Sequence, residues 1–486
     1  VKILIFNGSI CDMPYNVRQK HQAPRVTAPI PADPALPQVC VIGAGASGLA
    51  AAKALYTAGV PFDCFEKGSE FGGNWLFDNP NGVSACYETL QINTSCPRMA
   101  FSDFPMSADY PHYASHDQVY AYFRDYVDHF GFGHTITFNT EVTHVRRGER
   151  GGWDVDIRSS AGSAHDQTGG QSAVTETRHY DAVMVANGHH WDARWPDPGY
   201  PGQFDGEQIH AHDYRSGDQL EGRDVVVVGA GNSAMDIAVE GSHRARSVNL
   251  SIRRGQWVMK KTLFGLAADQ IALPGWAPWW VTAARLRIAA LLSGGLRRYG
   301  LPVPEHTPGQ SHPVQSDAIR DRLGAGAITV NPGIERLDGD RVVFTDGSEA
   351  PADLIVWATG YRVKFPFFDP DLISAEGNDL PLFKRMVHPD RPGLFFIGLL
   401  QPVGAVMPLA EAQSRLAVKS LTGEYVLPDR QEMVRRMHED DRRNKRQFYD
   451  SPRHTMQVDF DHYLRELDRE TRTGRQRTPR KGKVAA

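Results

Sequence analysis

Two short stretches of this chain carry residue types that can hold a phosphate. Gly43-Ala-Gly45-Ala-Ser47-Gly48 follows the apolar run at 39–42, and Gly229-Ala-Gly231-Asn232-Ser233-Ala234 follows the valines at 225–228. Each fits G-x-G-x-x-G/A between a strand-like and a helix-like segment. In that setting the first glycine makes a tight turn and the second lets the backbone approach a pyrophosphate. The third small residue packs helix against strand. The helix behind the turn then offers its free N–H groups to the anion.

The two loops differ one strand later. The first unit's next strand ends in Glu66, where a carboxylate can accept a ribose hydroxyl. The second unit's next strand ends in Ser251-Ile-Arg253-Arg254, with no acid and two guanidinium groups. Those suit a 2′-phosphate through charge-assisted hydrogen bonds, whereas a carboxylate would repel it. An acidic first site and an arginine-bearing second site suggest FAD in one and NADPH in the other. A protein holding both can pass a hydride to a flavin, which then performs the harder chemistry.

Other candidate chemistry is weaker. His189, His190, His210 and His212 lack further ligands at metal-binding spacing, so no metal is expected and these side chains read as loops shaping the nicotinamide side. The run at 312–317, HPVQSD, reads as a loop over the second nucleotide unit. Five cysteines, Cys11, Cys40, Cys64, Cys86 and Cys96, form no C-x-x-C pair. That count argues against a disulfide framework and a dithiol reductase, and for a reducing, cytoplasmic setting.

The elements that must position these residues follow from the punctuation. A strand from Val39, a helix over 48–58 and a strand over 62–65 make one βαβ unit. Short strands are expected at 136–139, 153–158 and 181–186. A second βαβ unit runs from Val225 through a helix at 233–240 to a strand at 248–252. Strands at 328–330, 341–344, 354–358 and 394–398 follow, then a charged helical pattern from Asp429. Residues 23–37 form a proline-rich linker.

At 486 residues the chain exceeds one ordinary core. A net charge of −4 gives no polyanion-binding signature, so no nucleic-acid partner is expected. The start VKILIFNGSI is short and soon followed by polar and proline-rich sequence, so no signal peptide is expected. The most apolar stretch, 276–296, is interrupted by Arg285 and Arg287. It reads as a packed helix with snorkelling arginines rather than a membrane span.

Further motifs carry a resemblance. Phe204-Asp-Gly206-Glu-Gln-Ile-His210-Ala-His-Asp-Tyr214 fits F-x-G-x-x-x-H-x-x-x-Y, and Asp353 to Tyr361 contains Ala358-Thr359-Gly360. With Glu70 to Trp75, FSDFPMSADYPHY at 101–113, GHHW at 188–191, GLLQPVGAVMPLAEAQ at 398–413 and HTMQVDF at 454–460, the chain resembles the flavin-containing monooxygenases from Pro37 to Leu467. The likeness is to a soluble, bacterial-type member.

The resemblance implies an α/β fold of two Rossmann-like dinucleotide-binding domains in three-layer ββα form. The FAD domain would be discontinuous and the NADPH domain inserted in it. Residues 1–37 would be an extension or linker, 38–205 the first part of the FAD domain and 206–350 the NADPH domain. Residues 351–467 would complete the FAD domain with C-terminal helices, and 468–486 would be a disordered basic tail. FAD would be held by Gly43, Gly45, Ser47, Gly48, Glu66, Lys67, Asn74, Trp75, Asn93 and Thr94. Val142 would lie near the adenine and Gln401 near the isoalloxazine.

NADPH would be held by Tyr214, Gly229, Gly231, Asn232, Ser233, Ala234, Asp236 and Arg253 or Arg254. Asn93 would be the catalytic amide, donating to a flavin C4a-hydroperoxide formed with O2. The implied reaction is oxygenation of a soft nucleophile, an amine nitrogen or a sulfide, on a small molecule. Baeyer–Villiger oxygenation of ketones or aldehydes is the alternative. Tyr214-Arg215 stands where that class usually has Trp followed by Pro or Asp. A reductase or redox sensor is the third reading, and a homodimer is left open.

Overall fold

Val39–Ile42 (β1) alternates its side chains between two hydrophobic layers, as a strand buried on both faces must. Val39 and Val41 meet a helical layer, while Cys40 and Ile42 meet a second sheet. The computed structural model describes residues 30–159, 174–263, 265–270, 279–292, 296–449 and 455–477. In it β1 lies at the centre of a parallel five-stranded sheet. β2 (Phe62–Phe65) and β3 (Ile136–Thr137) flank it on one side, β7 (Ala182–Val185) and strand Leu394–Phe396 on the other.

Helix α1 (Ala46–Thr57) buries Leu49, three successive alanines and Leu55. Its small side chains let it pack closely on helix Met407–Leu421. The sheet's other face is covered by an antiparallel layer of β4 (Thr140–Arg147), β5 (Trp153–Ser159) and β6 (Val174–Tyr180). Val145, Trp153, Val155 and Ile157 from that layer pack with Ile42, Phe65, Val183 and Val185.

The second unit repeats the plan. Strand Asp224–Val228 occupies the centre, with Ser247–Ser251 and Thr329–Asn331 on one side and Leu354–Trp357 and Glu207–His210 on the other. Val225 and Val227 share a core with helix Asn232–Arg244. Val226 and Val228 share another with a four-stranded sheet built from Gly202–Phe204, Ile334–Gly339, Arg341–Phe344 and Glu349–Pro351. The expected fold is therefore present: two Rossmann-like units, each in ββα layers, the first made from separated pieces of chain.

Several expectations change. The boundary after residue 350 moves beyond Trp357, because Leu354–Trp357 pairs with Asp224–Val228 in the second sheet. β6 had no apolar run to announce it; it is mostly solvent-facing and recruited by full-length pairing with β5. The tail expected to be disordered from 468 is helical as far as Arg477, within helix Phe460–Arg477. Its Glu470 is buried and accepts from Tyr425 Oη at 3.0 Å and Arg436 at 2.7 Å, which fixes those turns. Residues 478–486, and 1–29 of the N-terminal extension, lie outside the described residues.

The apolar stretch contains helix Trp279–Leu292 with Arg287 solvent-exposed. Among the described residues no helix is long and apolar enough to cross a membrane.

Candidate functional site

Both glycine loops sit at the carboxyl ends of the central strands, where open α/β sheets bind ligands. In the first, Gly43 has φ +96° and a Cβ there would lie 2.8 Å from the Ala186 carbonyl oxygen. A Cβ on Gly48 would lie 1.8 Å from the Gly43 oxygen, so helix and strand meet at a distance only glycine permits. In the second, Gly229 has φ +145° and a Cβ would lie 2.4 Å from the Ala358 oxygen, while Gly231 faces open space. Backbone approach of a pyrophosphate is thus available, and the loops fit dinucleotides.

The expected ligand residues around the first loop fall into place unevenly. Glu66 is buried at the end of β2, and its carboxylate accepts from the N–H groups of Ala44 and Gly68, both at 2.7 Å. It fixes the loop's backbone. Ser47 meets the turn at Gly398, where a Cβ would lie 2.0 Å from its Oγ. Asn74 Oδ1 accepts from Ala85 N–H at 2.8 Å, and Trp75 packs on the first unit's core. Lys67 pairs with Glu141 at 3.1 Å, beside Val142, whose side chain is buried between the sheets. Gln401 pairs in register with Gln457 in a short parallel ladder.

Asn93 lies in a turn with Thr94 and Ser95 buried behind it, and its Oδ1 is buried without a hydrogen-bond partner. An unpaired buried carbonyl of this kind costs free energy unless a ligand or water supplies a donor. The orphan atom is what a bound group would complete.

Around the second loop, Arg253 and Arg254 are exposed, and neither has an ion pair among the described residues. Asn232 Oδ1 accepts from Gln315 N–H at 3.0 Å, so the run at 312–317, expected as a loop over the second unit, contacts that unit through the short strand Val314–Gln315. Asp236 is turned away from solvent: it accepts from Tyr87 Oη at 2.6 Å, and burial raises its pKa despite that hydrogen bond and the nearby Lys261. Burial also lowers the pKa of Lys261. Tyr214 is fully buried, its ring 5.8 Å from that of Tyr87. The contacts of Gln315 with Asn232 and of Tyr87 with Asp236 were not legible, since nothing in their local sequence marks them.

The two units are joined by an antiparallel pair, Asp192–Ala193 with Tyr361–Arg362, closed by an Arg362–Asp192 ion pair at 2.9 Å. Around Tyr361 stand the rings of His190, His210 and His212, 5.4 to 5.9 Å away, with His189 next to His190. Burial first, then His212, lowers the pKa of His210 to about 4. Among the described residues no group of three or more His, Cys, Asp or Glu could hold a metal.

Two dinucleotide units facing each other across a two-strand connection, one with an acid after its glycine loop and one with arginines, define a two-nucleotide flavoprotein oxidoreductase. The chain belongs to the flavin-binding monooxygenase-like family, whose model matches residues 37–271 and 290–475. It is 33% identical over 449 residues to flavin-containing monooxygenase 5 of Cavia porcellus, covering 88% of this chain and 82% of that one. Against "Dimethylaniline monooxygenase [N-oxide-forming] 2" of Rattus norvegicus it is 34% identical over 460 residues, with the same shares covered. The fold matches S-allyl-L-cysteine S-oxygenase of Allium sativum at TM-score 0.64 and 23% identity, over 92% of this chain and 94% of that one. It matches open cyclohexanone monooxygenase at TM-score 0.66 and 16% identity, over 90% and 98%. The protein is a flavin monooxygenase using FAD, NADPH and O2.

Proposed function

We propose that this flavin monooxygenase oxygenates a soft nucleophile, an amine nitrogen or a sulfide sulfur, on a small molecule. The observation that carries the reading is Asn93, a neutral amide with a buried, unpaired oxygen on a turn between the two nucleotide units. Bound FAD, reduced by NADPH and reoxidised by O2, supplies the reactive oxygen. The chain's part is to bind, orient and exclude water.

In this reading the first unit holds FAD through Gly43, Gly45, Ser47, Gly48, Glu66, Lys67, Asn74, Trp75, Thr94, Val142 and Gln401. The second holds NADPH through Gly229 to Asp236, with Tyr214, and a 2′-phosphate lies on Arg253 or Arg254. Asn93 would offer Nδ2 as a donor on the flavin side and Oδ1 as an acceptor for the nicotinamide amide, with no charge to be neutralised. The N-oxide-forming name of the rat relative supports the choice of nucleophile.

The test is product analysis. The FAD-loaded protein is given NADPH, O2 and, in separate reactions, N,N-dimethylaniline, a thioether and cyclohexanone. An N-oxide or sulfoxide is the expected product. A lactone as the only product would move the protein to the Baeyer–Villiger class. Stoichiometric hydrogen peroxide with no oxygenated product would leave a reductase or sensor.

A further inference from the structure

The turn carrying Asn93 is drawn from the first unit's chain, yet the second unit grips it on one side and a segment inserted from the second unit's chain meets it on the other. Before the turn, Tyr87 is buried in the second unit's core with Tyr214, Leu220 and Ala234, and Leu90 packs on the same cluster. Tyr87 Oη donates to Asp236 at 2.6 Å, Thr89 Oγ1 to Glu240 at 2.8 Å, and Glu88 N–H to the Arg215 carbonyl at 2.8 Å. After the turn, Ser95 N–H donates to Asp269 Oδ2 at 2.7 Å. Tyr113 donates to the Lys261 carbonyl, beside the antiparallel pair Thr262–Leu263 with Leu266–Ala267, which Asp269 follows and whose Ala267 is buried in the first unit's core.

The first unit holds the same turn through its core as well as by backbone: Ile92, Cys96 and Met99 are buried in its core, and Cys96 Sγ donates to the Pro111 carbonyl at 3.2 Å. Ile92 N–H donates to Ala114 and Cys96 N–H to His112, both at 3.0 Å, and His116 N–H donates to Leu90 at 3.0 Å. The turn is therefore strung between two bodies whose covalent connection is a pair of two-residue strands. A group fixed to both bodies would register any rotation of one against the other. Asp236 and Glu240 stand on helix Asn232–Arg244, the helix whose N-terminus follows the second glycine loop. Whatever settles that helix settles one end of the turn.

We propose that Tyr87, through Asp236, and Asp269, through Ser95, are positioning residues by which a dinucleotide on the second glycine loop sets the geometry of Asn93. This rests on the reading of Asn93 and of the second loop given above. Nucleotide occupancy then tightens the turn, and the oxygenation step meets an ordered amide only while the nucleotide stays bound.

Amide hydrogen exchange of residues 90–96 in the FAD-loaded protein, with and without NADP⁺, tests it in wild type, Tyr87→Phe, Asp269→Ala and Asp269→Asn. NADP⁺ is expected to slow exchange in wild type. Loss of one hydrogen bond should shrink that protection about five-fold in Tyr87→Phe and Asp269→Ala. Asp269→Asn keeps an acceptor for Ser95 and should retain it. The share of consumed NADPH released as hydrogen peroxide should rise in the first two variants and not in the third.

NADP⁺ binding without slowed exchange at 90–96 in wild type overturns the proposal alone. So does wild-type protection in both Tyr87→Phe and Asp269→Ala. Failure of wild type to bind NADP⁺ overturns the reading of the second loop as well. If Asp269→Ala does not fold, Tyr87→Phe decides.

Discussion

Arg253 and Arg254 follow strand Ser247–Ser251, and both side chains are exposed without an ion pair among the described residues. Replacing both by Gln should raise the KM for NADPH roughly a hundredfold, the loss of about two charge-assisted hydrogen bonds. The KM for NADH should move by less than about threefold; equal losses for the two cofactors would remove the arginines from 2′-phosphate recognition. Asn93→Asp tests the neutral amide. It should keep FAD, read from the flavin absorbance of the purified protein, and lose nearly all oxygenated product, because a carboxylate cannot donate where Nδ2 does. Full product yield would take Asn93 out of the mechanism.

At the scale of elements, one buried carboxylate decides how far the last helix extends. Glu470 is 3% exposed and ties Tyr425, Arg436 and Arg477 together. Glu470→Ala leaves Tyr425 and Arg477 without this acceptor and Arg436 with Glu432 alone, and should cost roughly 3 kcal/mol in urea denaturation, with early fraying of Phe460–Arg477. An unchanged midpoint would show that helix to be held by its apolar face alone. The same residue shows where reading the sequence stops. The glycine loops and valine runs were legible because a tight turn and a two-faced buried strand each demand particular residues locally. The basic, polar end of the chain has no such demand, and its order comes from partners on other helices. Tyr87 is a sharper case: its hydroxyl finds Asp236 149 residues away, and no local pattern marks either as half of a pair. Lys67 and Val142, expected at a nucleotide, also have structural partners that no local pattern announces: Lys67 pairs with Glu141, and Val142 packs between the sheets.

At the scale of the whole molecule, the junction between the units is where pH should be felt. His210 is fully buried, and burial lowers its pKa from 6.5 to about 4. The folded protein keeps it neutral while an unfolded chain takes up a proton near pH 6.5, so its contribution is complete above that pH. It is lost as pH falls from 6.5 toward 4. His210→Asn should flatten that part of the stability profile, measured by urea midpoints between pH 7 and 4; an unchanged slope would assign the acid sensitivity elsewhere.

The two sheets share one strand order but not one chain order. The second sheet takes its outer strand, Glu207–His210, from just before its central strand, so the whole sheet comes from one continuous stretch. The first sheet waits for Leu394–Phe396, which pairs with β7. On the ribosome, therefore, the middle of the protein can close its sheet while the beginning still lacks an edge. The oldest part of the nascent chain is the last to be finished, and until then its open β7 edge is the surface a chaperone would have to guard.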